Sequence, residues 1–180
     1  ATDKALDALV QVFAERAPRY DRSGNIAVEN LHDLHEAGFL ALALPKEAGG
    51  QDISLRTVTQ IISRLAQGDP STALILAMQY LQSGAFAHAS QWSDDVKQEL
   101  FESIRQEGAL INALRVEPEL GTPARGGLPD TTVRRDGTAW RITGRKIFST
   151  GSTALQWGVV WAKTEDAEPK VGPVLVPLDL

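Results

Sequence analysis

Gly108-Ala109-Leu110-Ile111-Asn112-Ala113-Leu114-Arg115-Val116-Glu117-Pro118-Glu119-Leu120-Gly121-Thr122 is the stretch in which this chain changes character. Before Gly108 the apolar residues recur at helical spacing. After it they alternate, or come in short runs bounded by turn residues. Residues 109–114 form a short apolar run that reads as a buried strand, and the Pro- and Gly-containing segment behind it reads as a loop over 116–130.

Working back from Gly108, the first half predicts helices. Residues 4–16 carry Leu6, Leu9, Val10 and Phe13 on one stripe, and 30–38 place Leu31, Leu34 and Ala37 similarly, with Gly38 as a helix stop. Residues 55–67 align Leu55, Val58, Ile61, Ile62 and Leu65. Asp69-Pro70-Ser71 supplies an N-cap and a proline at the first helical position for a helix over 71–89. That helix is apolar on several sides and is expected to be the buried central one. Ser93 is expected to cap the next helix, with Asp94 and Asp95 complementing its dipole and Val96, Leu100 and Ile104 facing inward.

Working forward, 131–136 and 139–143 predict a β-hairpin with Asp136-Gly137 as its turn. Residues 156–163 alternate, with Trp157, Val159 and Trp161 on one face; Trp140, Trp157 and Trp161 are expected in the sheet core. Residues 173–178 predict a further strand, with Pro177 marking an edge or a strand end. The fold class is α+β: an N-terminal α-helical domain over 1–108, then a partial antiparallel β-domain over 109–180.

Composition narrows the function. A chain of 180 residues with 43% hydrophobic and 23% charged content can bury a core and is not a disordered chain. The net charge of -5 argues against nucleic acid as a partner. No apolar run reaches the length of a membrane span, and no signal peptide is visible, so the expected compartment is cytoplasmic. Without cysteine there is no disulfide framework, thiol nucleophile or thiolate metal site. His32 and His35 lie three apart on a predicted helix but lack a third ligand, so no metal site is expected.

Two segments point to chemistry. In Glu117-Pro118-Glu119-Leu120-Gly121-Thr122-Pro123, Gly121 allows backbone N–H groups close to a phosphate and Thr122 adds a hydroxyl donor; an ordinary turn is the alternative. In Phe148-Ser149-Thr150-Gly151, an aromatic ring and a hydroxyl suit a flat heterocycle, whereas a plain strand leading into a turn is the alternative. Seven basic residues (Arg115, Arg125, Arg134, Arg135, Arg141, Arg145 and Lys146) stand against four acids in this region. Most read as a solvated strand face, with Arg125 a candidate for phosphate.

Taken together, these segments resemble those of the acyl-CoA dehydrogenase family. Pro45-Lys46-Glu47-Ala48-Gly49-Gly50, Gly68-Asp69-Pro70-Ser71-Thr72-Ala73-Leu74 and Trp92-Ser93-Asp94-Asp95-Val96-Lys97 are similar to the family's segments in order and spacing, so the likeness runs along essentially the whole chain. The resemblance implies FAD as cofactor. By it, Arg115 and Val116 line the flavin through their backbones, and Gly121 and Thr122 meet the pyrophosphate. Phe148 packs near a flavin face, followed by Ser149, and the Thr150 hydroxyl bonds flavin N5. Thr122 and Arg125 are the candidate substrate contacts, Arg125 from the local excess of basic residues. Val116 stands where the family has a threonine, and Pro123 where it has an aspartate.

The implied reaction is α,β-dehydrogenation of an acyl-CoA thioester, in a homo-oligomer that completes the flavin site across a subunit contact. The family's catalytic base comes from a C-terminal helical bundle absent from this sequence, so no catalytic residue is assigned and the chain alone is expected to be inactive. Glu117 lies in the flavin loop and is not taken as a substitute. An exposed apolar surface is expected where that bundle would dock. Two alternatives stay open: a flavin-dependent monooxygenase on the same fold, and a non-catalytic binding or assembly module that has lost the flavin.

Overall fold

The protein is described from a computed structural model that covers residues 2–119 and 127–178. Its coordinates divide into two compact units, Ala1–Leu110 and Ile111–Leu180.

The first unit is helical: α1 (Thr2–Ser23), α2 (Val28–Glu36), α3 (Leu55–Gly68), α4 (Pro70–His88) and α5 (Asp94–Glu107). Its core is drawn from every helix and from the 39–44 turn, with Phe13, Leu34, Phe39, Leu65, Leu76, Leu100 and Ile104 essentially sealed from solvent. The Asp69 cap is as expected, its side chain accepting the Ser71 N–H at 3.1 Å. The same carboxylate accepts from Thr72 Oγ1 at 2.5 Å and from Asn30 Nδ2 at 3.3 Å, and Arg16 reaches Asn30 and Asp33 at 2.9 and 2.6 Å. Buried Asn30 is thereby hydrogen-bonded at both ends of its amide, which a sealed polar group requires.

Several expectations are corrected here. α1 runs beyond residue 16 and carries Pro18 inside it, although proline removes one helical hydrogen bond. The ties of Arg16 to Asn30 and Asp33, with the Arg19–Glu29 pair, hold the turns on either side of Pro18 against α2. Leu55 is 75% exposed, because it opens the first turn of α3 before the stripe meets the core. Ser93 occupies the N-cap position of α5, but its side chain makes no capping bond. α4 is the most buried helix on one side only: Leu74 and Leu81, two turns apart, are each about half exposed. The α5 helix closes on Gly108, whose φ of +71° is a left-handed cap favoured by glycine, packed against the His35 ring.

The second unit is a five-stranded sheet: β1 (Ile111–Leu114), β2 (Thr132–Asp136), β3 (Ala139–Thr143), β4 (Trp157–Thr164) and β5 (Val171–Pro177). α+β is therefore the fold class, but the sheet is mixed where an antiparallel one was expected. β1 and β2 both run parallel to β4, while β2–β3 and β4–β5 are antiparallel. The β2–β3 hairpin turns on Gly137-Thr138, with Asp136 paired to Ala139, so the turn lies one residue later than expected. Trp140 is 59% exposed on this hairpin, with the Arg135 guanidinium stacked 5.2 Å from its ring centre, and is not core. The core of β4 comes from Val159, Val160 and Ala162.

The two edges of β4 can be told apart by parity. Thr164 N–H donates to Lys170 and Leu178 N–H to the Gln156 carbonyl, so even-numbered positions bond toward β5. Lys163 N–H donates to Thr131 and Glu165 N–H to Val133, so odd-numbered positions bond toward the opposite edge. Pro173 and Pro177 pair with Trp161 and Trp157, both odd, and neither is asked for an N–H. On the opposite edge, β1 pairs with Trp157 through Val160 and β2 begins at Lys163. The Trp161 carbonyl falls in the gap between them.

Candidate functional site

The gap between β1 and β2 is filled by side chains rather than by strand. Glu117, three residues past β1, turns inward and is 3% exposed. Its Oε2 accepts the Asp130 N–H at 2.7 Å. Its Oε1 accepts the Thr131 N–H at 2.9 Å, the Thr131 hydroxyl at 2.6 Å and Lys146 Nζ at 2.7 Å. Lys146 Nζ also donates to the Trp161 carbonyl at 2.6 Å, supplying the donor that neither β1 nor β2 reaches. Thr131 packs against Gly144 so closely that a Cβ there would lie 2.2 Å from Oγ1, which only glycine permits.

The electrostatics follow from these contacts. Burial alone pushes the Glu117 carboxyl up; hydrogen bonds from Lys146, the Thr131 hydroxyl and two backbone amides outweigh it. The pKa settles at about 2, below the ordinary 4.5. An ionised, fully engaged carboxylate cannot serve as a general base near neutral pH.

The same node brings the two sequence-predicted segments together. Ile147 N–H donates to the Val116 carbonyl at 2.9 Å, and buried Asn112 donates from Nδ2 to the Thr150 carbonyl at 2.9 Å. Arg115 and Val116 therefore sit beside Phe148, Ser149 and Thr150. Phe148 is 87% exposed and has a φ of +55°, a conformation uncommon for a non-glycine residue and concentrated at ligand-binding positions. Gly151 then turns the chain into a short 3-10 helix, Ser152–Ala154. Among the described residues, the Ser149 and Thr150 hydroxyls make no hydrogen bond. Gly121, Thr122 and Arg125 lie outside the described residues, as does Pro123.

Sequence reasoning missed Asn112, Thr131 and the role of Lys146. Arg134 and Arg141 behave as a solvated face should, paired with Glu165 and Asp136 at 3.7 and 2.8 Å. Lys146, grouped with them by sequence, is buried instead. His32 and His35 do not converge on a common point: His32 faces Glu36 at 3.9 Å, and His35 Nε2 bonds the Arg105 carbonyl at 3.1 Å. Among the described residues, no group of three His, Cys, Asp or Glu could hold a metal, and no helix is long and apolar enough to cross a membrane.

Known proteins are similar to this chain in fold and in sequence. KijD3, solved in complex with dTDP, superposes with a TM-score of 0.83 at 22% identity, over 98% of this chain and 45% of that one. TdsC from Paenibacillus sp. A11-2, solved with FMN and indole, gives 0.82 at 20% identity, over 98% and 43%. At these identities the likeness is one of fold. In sequence, YdbM of Bacillus subtilis, named as an acyl-CoA dehydrogenase, is 36% identical over 157 residues, 87% of this chain and 41% of that protein. Acyl-CoA dehydrogenase FadE12 of Mycobacterium tuberculosis is 26% identical over 173 residues, 94% of this chain and 42% of that protein. The chain thus spans about two fifths of the length of these curated relatives. The family model for the acyl-CoA dehydrogenase N-terminal domain matches residues 2–108, more than half of the chain, and the chain belongs to the acyl-CoA dehydrogenase family.

Proposed function

We propose that this chain carries the flavin-facing part of an FAD-dependent oxidoreductase that dehydrogenates acyl-CoA thioesters. The carrying observation is the juxtaposition of Val116 with Phe148-Ser149-Thr150, made by the Ile147–Val116 and Asn112–Thr150 hydrogen bonds. A solvent-facing aromatic ring, held in a strained backbone conformation beside two uncommitted hydroxyls, fits a flat heterocycle with hydrogen-bonding edges. When bound, the flavin supplies the hydride-accepting chemistry, and the protein supplies orientation. Phe148 packs against the ring, Thr150 donates to its edge, and the Arg115–Val116 backbone borders it. Gly121 and Thr122 are assigned to the pyrophosphate, and Thr122 and Arg125 to the substrate phosphates. Glu117 takes no proton in this scheme, since its carboxylate is fully occupied.

A second reading, a flavin-dependent monooxygenase, is favoured by the fold likeness to TdsC with FMN and to the methanesulfinate monooxygenase MsuC of Pseudomonas fluorescens, TM-score 0.78 at 21% identity over 97% of this chain and 42% of that one. Titration with FAD and FMN, followed by flavin fluorescence, separates the two. Preference for FAD supports the dehydrogenase and preference for FMN the monooxygenase. No saturable change with either flavin up to about 1 mM, a binding energy of only about −4 kcal/mol, would sink both and favour a non-catalytic scaffold.

A further inference from the structure

We propose that Glu117, Lys146 and Thr131 form a positioning device that sets the geometry of residues 115–116 against 148–150 by clamping both ends of the intervening loop. Its structural part stands on the contacts alone; its functional consequence rests on the flavin reading above.

Each member comes from a different place in the chain. Glu117 ends the stretch that leaves β1, Asp130 and Thr131 precede β2, Lys146 lies two residues before Phe148, and the Trp161 carbonyl belongs to β4. One carboxylate therefore ties the chain where it leaves β1, at Glu117, to the chain where it enters β2, at Asp130 and Thr131. One ammonium fixes the Phe148 segment to that carboxylate and to the sheet. The side chains of Lys146 and Glu117 are 8% and 4% exposed. A buried ion pair is a poor source of net stability, because desolvation offsets its attraction. Its directional bonds nevertheless specify one arrangement where apolar packing would tolerate several. The pair stands at the gap between β1 and β2 on the odd-numbered edge of β4, where, among the described residues, the one backbone bond between the two segments, from Ile147 to Val116, is joined by the bonds of these side chains.

The test compares the 180-residue chain with Glu117→Gln, Lys146→Met and the double variant, by amide hydrogen exchange, flavin titration and thermal melting. The double variant removes the orphaned charge left by Lys146→Met, so its melting temperature recovers toward the wild type. The device predicts that Asp130, Thr131 and Ile147 amides still exchange at least about tenfold faster in it, with β4–β5 amides unchanged. Flavin affinity stays about tenfold to a hundredfold weaker, the scale expected when positioned groups shift by about 1 Å. A merely stabilising ion pair predicts that exchange and affinity recover along with the melting temperature, and that result overturns the proposal. Unchanged affinity in a chain that binds flavin also overturns it. If the wild type binds no flavin, the functional reading fails while the exchange pattern still decides for or against the clamp.

Discussion

Replacing Lys146 by methionine is the most direct probe of the buried node. The substitution keeps an unbranched side chain, one atom shorter, but removes the charge facing Glu117 Oε1 and the donor to the Trp161 carbonyl. Removing one partner of a buried pair costs about 3–5 kcal/mol, because the other charge is left stranded. Glu117 would retain the Thr131 hydroxyl and two amide donors, so the cost falls at the lower end, about 3 kcal/mol. With a urea m-value of about 2 kcal/mol per molar, the unfolding midpoint drops by about 1.5 M. Three of the four tryptophans (Trp140, Trp157 and Trp161) lie in the sheet unit, so intrinsic fluorescence reports the relevant transition. The pH dependence adds a signed check. Glu117 has a folded pKa lowered from 4.5 to about 2, so its contribution is complete above pH 4.5 and drains away as the pH falls toward 2. Without Lys146 that pKa rises toward its ordinary value, so the window between the folded and unfolded pKa values narrows and the acid-induced loss becomes smaller. A midpoint shift under about 0.3 M at pH 7, with an unaltered acid limb, would refute the stranded-charge reasoning, since surface changes are worth about 0.5 kcal/mol or less.

Three further outcomes are expected. Phe148→Gly relieves the positive φ and raises stability by about 1 kcal/mol while weakening flavin binding; a destabilised variant in a thermal melt would contradict the strain. Gly144→Ala drives a methyl group into Thr131 and lowers stability by about 1–3 kcal/mol, read by urea denaturation; a neutral effect would mean the close approach yields freely. Tyr80→Phe leaves the Phe39 carbonyl without its 2.8 Å donor and costs about 1–3 kcal/mol, while burial keeps the wild-type phenol protonated well above its usual range, so its ultraviolet titration should not appear before alkaline unfolding.

The helical half was largely legible because its signals are local. A 3.6-residue period, the Asp69 cap and the Gly38 stop all act within a few residues of where they are read. Its misreadings were also local rules overruled by tertiary contacts: Pro18 is carried inside α1 by ties to α2, and Leu55 points away despite its place in the stripe. The sheet was legible as strands but not as a topology. Alternation tells which residues share a face and says nothing of which strand lies beside which, so the parallel placement of β1 and β2 on β4 escaped it. The site was half visible. Phe148 and Val116 stood out through the family likeness, whereas Lys146 looked like one more surface cation. Its partner lies 29 positions away, and no periodicity links residues so far apart.

The end-to-end arrangement of β1 and β2 along one edge of β4 has a consequence for how such a protein diversifies. Because Glu117 and Thr131 secure the loop at its two roots, residues can be gained or lost between 118 and 129 without disturbing the register of any strand. Doubling the length of such a loop adds only about 0.6 kcal/mol of closure entropy. The sequence between the two roots is therefore free to vary while the register of β1, β2 and β4 stays the same, and one sheet can serve chains that differ widely in this stretch.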